Sequence, residues 1–187
     1  HELAVAPDFG ARFVNVHIGS HKGAGVSAGI GRVADGVARV LDGADAAAND
    51  GSTAHGGCAA GDDGTAQRPL LVLENSAGSG DGIGTSLEEL GAILEGVAAR
   101  GVRAERVGLC LDTAHLWGAG HDVATADGVD ALVEELAARI GLDRVVMIHL
   151  NDSKAVRGSR LDRHEHLGAG EMGAGAGDSD RHPASPG

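Results

Sequence analysis

A chain of 187 residues is long enough for one domain with a buried core, but 32 glycines, two phenylalanines, one tryptophan and no tyrosine leave that core to Leu, Ile, Val and Ala. A formal net charge of −12 argues against broad electrostatic attraction to nucleic acid, although bound divalent cations or a local basic patch reverse the sign where they sit. No apolar stretch approaches the roughly 20 residues that span a bilayer, and the opening residues lack a signal-peptide pattern, so a cytoplasmic protein with no membrane contact is expected.

In chain order, four short apolar runs stand out: FVNVH ending at His17, LLVLE ending at Glu74, VGLCLD ending at Asp112 and VVMIH ending at His149. Runs of this length between helical patterns read as buried parallel strands. Between the first two lies DGADAAANDGSTAHGGCAAGDDGTAQR, residues 42–68, whose Gly, Ala, Asp and Ser content marks it as a flexible surface insertion that buries nothing. After the second run, TSLEELGAILEGVAARG predicts a helix over 86–100, with a capping box from Thr85 to Glu88, one face of Leu87, Leu90, Leu94 and Val97, and a stop at Gly101. After the third, GVDALVEELAARIG predicts a helix over 128–140, with Val129, Leu132, Val133, Leu136 and Ile140 together and a stop at Gly141. From Gly173 the chain turns low in complexity, and residues 173–187 are expected to be a disordered tail on a domain of residues 1–172.

The strand ends recur at about one strand plus one return helix, the spacing of repeated βα units. About four units do not close an eight-stranded barrel, which typically takes about 250 residues. An incomplete α/β barrel, a portion of a larger one, is therefore expected.

Polar residues at the carboxyl ends of such strands are where α/β proteins place their chemistry. Core packing gives no reason for a histidine or carboxylate at four successive strand ends, since each has to be desolvated and paired. A single strand-end histidine is more often an ordinary hydrogen-bonded residue than a ligand. Here Glu74, Asp112, His115 and His149 are joined by His17 and by Asp162 and His164 of the run DRH, seven candidates in all. A metal cluster supplies the pairing they need. Lys154, Arg157, Arg160 and Arg163 form a basic cluster, read either as a solvated loop or as a phosphate-facing patch. The glycines of ENSAGSGDGIG match neither dinucleotide nor P-loop spacing, so no nucleotide cofactor is expected. Cys58 and Cys110 show neither a metal nor a redox spacing.

The ordered motifs VNVHIGSH (14–21), LVLENSAGSGDGIG (71–84), VGLCLDTAHLWGAGHD (107–122), MIHLNDSK (147–154) and GSRLDRHEHLGAGEMG (158–173) together resemble the endonuclease IV family of apurinic/apyrimidinic endonucleases, zinc-dependent TIM (β/α)8 barrels that repair abasic sites in DNA. The resemblance covers residues 2–173 apart from 42–68. It implies that His17 serves a first metal, that Glu74 bridges the first and second, and that Asp112 and His149 serve the second. It assigns His115, Asp162 and His164 to a third. It further implies zinc, duplex DNA with an abasic site as partner, incision 5′ to the lesion leaving a 3′-hydroxyl and a 5′-deoxyribose phosphate, and a monomeric complete protein. Metal ions suit this chemistry because they make hydroxide available near neutral pH and stabilise charge on both the attacking and the leaving oxygen.

The family pattern is departed from at Ala114, commonly Cys, and at His121, commonly Tyr. The family's further histidine ligand from an earlier strand and its second bridging glutamate from the last strand have no counterpart in these residues, so weak activity of this chain alone is expected. Two alternatives stay open: a metal-dependent sugar isomerase or epimerase on the same barrel, which needs neither the Asp162 and His164 pair nor the arginines, and a non-catalytic remnant.

Overall fold

The computed structural model of the chain describes residues 2–49 and 68–173. The four apolar runs are strands β1 (Phe13–His17), β2 (Leu70–Glu74), β3 (Val107–Asp112) and β4 (Val145–His149). All pair in parallel in the order β1-β2-β3-β4. Each strand therefore lies beside its predecessor in sequence, which is the arrangement of one arc of a barrel. A short opening helix α1 (Glu2–Val5) precedes β1, and the returns between strands are made by α2 (Val26–Asn49), α3 (Leu87–Ala98) and, after a short α4 (Thr113–Ala119), by α5 (Ala126–Arg139).

Strand alternation divides the sheet into two faces. Leu71, Leu73, Leu109 and Leu111 turn toward the helices and pack with Leu87, Leu90, Ile93, Val97, Leu132 and Leu136 in one core. Burying each such leucine is worth about 1.5–3 kcal/mol. The alternate residues, including Val72, Glu74, Cys110 and Asp112, are left for the inner face.

Register then decides which strand ends meet. His17 lies opposite Glu74, and Glu74 opposite Cys110. A slip at Leu109/Cys110 lets Val145 pair with Leu109 and Met147 with Cys110, which brings Asp112 level with His149. That slip aligns the last two strand-end candidates.

Three sequence expectations are corrected. Residues 42–49 are helical, not part of a loop: α2 runs on to Asn49, Ala44 packs against the core, and Asp45 accepts a 2.7 Å hydrogen bond from Arg106. Alanine is the strongest helix former, and a low-hydrophobicity segment needs only one packed side to continue a helix already begun. Residues 50–67, the rest of the proposed insertion, and the tail from 174 lie outside the described residues. The cap of α3 is Ser86, one residue later than expected, with its side chain accepting from Glu89 N, while Glu89 Oε2 takes the N–H groups of Gly84 and Thr85. Helix α5 begins earlier, behind a Thr125 cap, and of its expected apolar face Leu132 and Leu136 are buried whereas Val129 and Val133 are largely exposed. Gly101 (φ 81°) and Gly141 (φ 94°) take the positive φ that favours glycine where these two helices end, as their positions suggested.

Among the described residues, β1 and β4 each have one strand neighbour, and no helix is long and apolar enough to cross a membrane.

Candidate metal centre

Asp112 links strand to helix. It is the last residue of β3 and the N-cap of α4, its Oδ1 accepting from His115 N at 3.0 Å. The cap places His115 in the first turn of α4, directly above the sheet, which is why two residues so close in sequence serve one cavity. Both are buried, as is Glu74 at the end of β2. A buried carboxylate is costly unless its lone pairs are occupied. Here Asp112 Oδ2 takes Asn151 Nδ2 at 2.6 Å, and Glu74 Oε2 takes Asn15 Nδ2 at 2.6 Å.

The seven candidates assemble around these acids with different closeness. Glu74 Oε1 faces His149 Nδ1 at 3.2 Å and His115 Nδ1 at 3.6 Å, while Oε2 faces His17 Nε2 at 3.7 Å. The two oxygens of Glu74 thus look toward different histidines, as a bridging carboxylate must. His149 Nδ1 stands 3.9 Å from Asp112 Oδ2.

The tightest cluster involves the distant loop. His115 Nε2, His164 Nε2 and the Asp162 carboxylate lie 3.2–3.4 Å apart: His115 to Asp162 3.3 Å, His164 to Asp162 3.2 Å, His115 to His164 3.4 Å. A tetrahedral zinc with bonds of about 2.0–2.1 Å to nitrogen and oxygen holds neighbouring donors about 3.4 Å apart. The donors suit that ion in type, with His115 Nε2 facing Asp162 Oδ2 and His164 Nε2 facing Oδ1. His115 Nδ1 meets Asn75 O at 2.9 Å, which as a donated N–H leaves Nε2 free to coordinate. Asp112 Oδ1 lies 3.7 Å from His164 Nε2, so Asp112, His115 and His164 also form a set that could hold an ion.

A second such set is Glu74, Cys110 and His149, with ligand atoms within 4.8 Å of one another. Cys110 had no chemical role in the sequence reading. Its thiol is pushed up to about 11 by burial and then by the charge of Glu74, which keeps it a neutral thiol when no metal is bound.

The sequence reading also passed over the amides. Asn75 accepts from Asp112 N at 2.7 Å and presents its backbone oxygen to His115, while Asn15 and Asn151 hold the two acids. Their one signal was position: each lies within or beside a ligand motif, in VNVH, LEN and HLND. Asp152, buried and bonded to five backbone N–H groups, was missed as well.

The basic cluster is only partly free. Arg157 pairs with Asp122 at 3.1 Å and lies over the Trp117 ring, and Lys154 faces Glu165 at 3.7 Å. Arg163 donates to the Asp162 backbone oxygen, and Arg160 takes a left-handed backbone (φ 58°) at the rim. His21 joins neither set; it faces Asp81 at 3.7 Å, where the loops after β1 and β2 meet.

Comparison with known proteins bears on this centre. A family model described as xylose isomerase-like TIM barrel matches residues 1–176. A probable endonuclease 4 of Methanoculleus marisnigri is 39% identical over 172 residues, 92% of this chain and 52% of the relative. A probable endonuclease 4 of Bacillus subtilis is 35% identical over 172 residues, 92% of this chain and 48% of the relative. The crystal structure of endonuclease IV from Thermus thermophilus superposes with a TM-score of 0.66 at 32% identity, covering 91% of this chain and 50% of that one. The chain spans about half the length of the curated relatives it matches.

Proposed function

Since the chain belongs to the xylose isomerase-like TIM-barrel family, we propose that it is the metal-bearing part of a DNA repair endonuclease. The whole protein hydrolyses the phosphodiester 5′ to an abasic site in duplex DNA, leaving a 3′-hydroxyl and a 5′-deoxyribose phosphate. It works as a monomer in the cytoplasm. The relatives named endonuclease 4 support this reading. The observation that carries it is the convergence of His115, Asp162 and His164 within 3.4 Å beside the Glu74, Asp112 and His149 group. A sugar isomerase on this barrel has no need of that third set.

Zinc would be held at one place by His115, Asp162 and His164, and at neighbouring places by Asp112 and His149 and by His17, with Glu74 shared between the last two. Bound there, it supplies Lewis-acid stabilisation of the charge that builds on the phosphoryl and leaving oxygens. The chain's own residues do the rest. Asn15 and Asn151 hold the acids in orientation, α4 holds His115 against the sheet, and Arg160 and Arg163 meet a phosphate backbone at the rim, where they fix register without reading sequence.

The test is incision of a duplex carrying one abasic site. The whole protein should cut 5′ to the lesion, lose the activity to a chelator, and lose it again as Glu74→Gln. This chain alone should cut feebly, because misplacing groups by about 1 Å can cost about a hundredfold. An intact duplex combined with isomerisation of a sugar would move the assignment to the isomerase.

A further inference from the structure

Three residues past His149, the Asp152 carboxylate is only 2% exposed and has no cationic partner among the described contacts. Instead it accepts from a run of backbone N–H groups: Ser153 at 2.7 Å and Met172 at 3.0 Å on Oδ1, and Gly168 at 3.0 Å, Gly170 at 3.1 Å and Gly173 at 3.3 Å on Oδ2. Burial raises its pKa, but the N–H donors together outweigh that and leave it below the ordinary carboxylate value. The glycines are required here. A Cβ on Gly170 would sit 2.5 Å from Asp152 Oδ1 and closer still to Ser153 O.

This arrangement closes a long loop at its base. Asp152 and Ser153 (β5) pair antiparallel with His164 and Glu165 (β6), Lys154 N donates to Arg163 O, and Glu171 N donates to Ser153 O at 2.7 Å. The far side of the loop rests on α4, where Trp117 Nε1 donates to Ala155 O and Gly118 O accepts from Arg160 N. Asp162 and His164 therefore stand on a segment held by α4 on its far side and by the β5–β6 pairing at its base, and the Asp152 carboxylate fastens the chain that follows them, at residues 168–173, to the same base. His115 stands on a different element altogether. Two imidazoles and a carboxylate can come within 3.4 Å only if the loop is held at one height above α4.

We propose that Asp152 is a positioning residue for the metal centre: by gathering the N–H groups of residues 168–173 it locks the loop that brings Asp162 and His164 to His115. The inference rests on the metal-centre reading given above, and it assigns Asp152 no contact with metal or substrate.

Asp152→Asn keeps the size of the side chain but turns one accepting oxygen into a donor facing N–H groups. Zinc titration of the full chain against a competing chelator should show the tight site weakened about 10- to 100-fold, the range usual for residues that orient ligands. Amide exchange should speed up at residues 168–173 while β2 and β3 keep their protection, and the fluorescence of Trp117 should shift as the loop loosens. Gly170→Ala, which crowds the carboxylate without removing it, should reproduce all three effects. Unchanged zinc affinity with unchanged exchange at 168–173 in both variants would overturn the proposal, as would a uniform loss of protection that includes β2 and β3. A wild-type chain that binds no zinc, with exchange at 168–173 still faster in both variants, would instead overturn the metal-centre reading and leave Asp152 as a loop anchor.

Discussion

The centre of the sheet and its margins differ in what they can hold. Strands β2 and β3 have a neighbour on each side, and the proposed ligands that they and α4 supply, Glu74, Asp112 and His115, are at most 4% exposed. Among the described residues strands β1 and β4 have one neighbour each, and their proposed ligands, His17 and His149, are 76% and 37% exposed at the side chain. The margins also leave apolar side chains in water, with Ile148 62% and Leu150 63% exposed. Electrostatics follows the same division. In the centre each acid oxygen already has a hydrogen-bond partner, so the charges are placed before a metal arrives. At the margins His149 has a hydrogen bond to Glu74 Oε1 at 3.2 Å but His17 only a 3.7 Å approach to Glu74 Oε2, so His17 is the less firmly fixed of the two. Such edges are also surfaces on which strands from elsewhere can pair.

The sharpest way to break this comparison is through packing. Leu109→Ala in β3, a fully buried position, should cost about 2–5 kcal/mol, whereas Ile148→Ala in β4 should change stability by no more than about 0.5 kcal/mol, as is usual for surface substitutions. Denaturant titration of both variants decides it, and equal losses would mean that β4 is covered in solution. Metal content tests the same contrast at the site. His164→Ala should remove the most tightly held zinc, while His17→Ala should leave it in place, as measured by metal analysis after gel filtration. Equal zinc in wild type and His164→Ala would remove the third-metal assignment.

A smaller effect separates two neighbouring residues. Ser86→Ala should cost about 0.5–2 kcal/mol through loss of the α3 cap, with Thr85→Ala costing less. The reverse order in thermal melts would restore the cap to the position that the sequence pattern indicated. The smallest effect is one of pH. The folded pKa of Asp152 is depressed, so its contribution is fully present above the ordinary aspartate pKa of about 3.9 and is lost only as pH falls through the lower folded value. Zinc-free wild type and Asp152→Asn should therefore differ by a constant amount at neutral and mildly acidic pH, and converge only in strong acid. Convergence already near neutrality would contradict the depressed value.

Much of the fold was legible because its signals are local. The four strands begin and end where FVNVH, LLVLE, VGLCLD and VVMIH do, since short runs of β-branched and aliphatic residues favour the strand, although only in β2 and β3 are both faces buried. Helices α3 and α5 followed from one-sided leucines and a closing glycine. The length of α2 was less legible. DGADAAAN is poor in apolar residues but rich in alanine, and it is the approach of Arg106 and Arg68 to Asp45 and the packing of Ala44 that show what the segment lies against.

By itself the sequence determined the strand runs, the helix periodicity and the kinds of side chain at the strand ends, all properties read within a window of a few residues. That Asp112 also caps α4, and so brings His115 to the same cavity, was shown only by the fold. The tertiary structure alone decided the slip that levels Asp112 with His149, the choice of Asn15 and Asn151 as partners of the buried acids, and the meeting of His115 with Asp162 and His164. Asp152 is the plainest case. Nothing in the letters DSK distinguishes it from a solvated aspartate. Its role exists only because the chain returns some twenty residues later with glycines small enough to bring their N–H groups to its two oxygens, and closure of that kind depends on through-space geometry that no local pattern records.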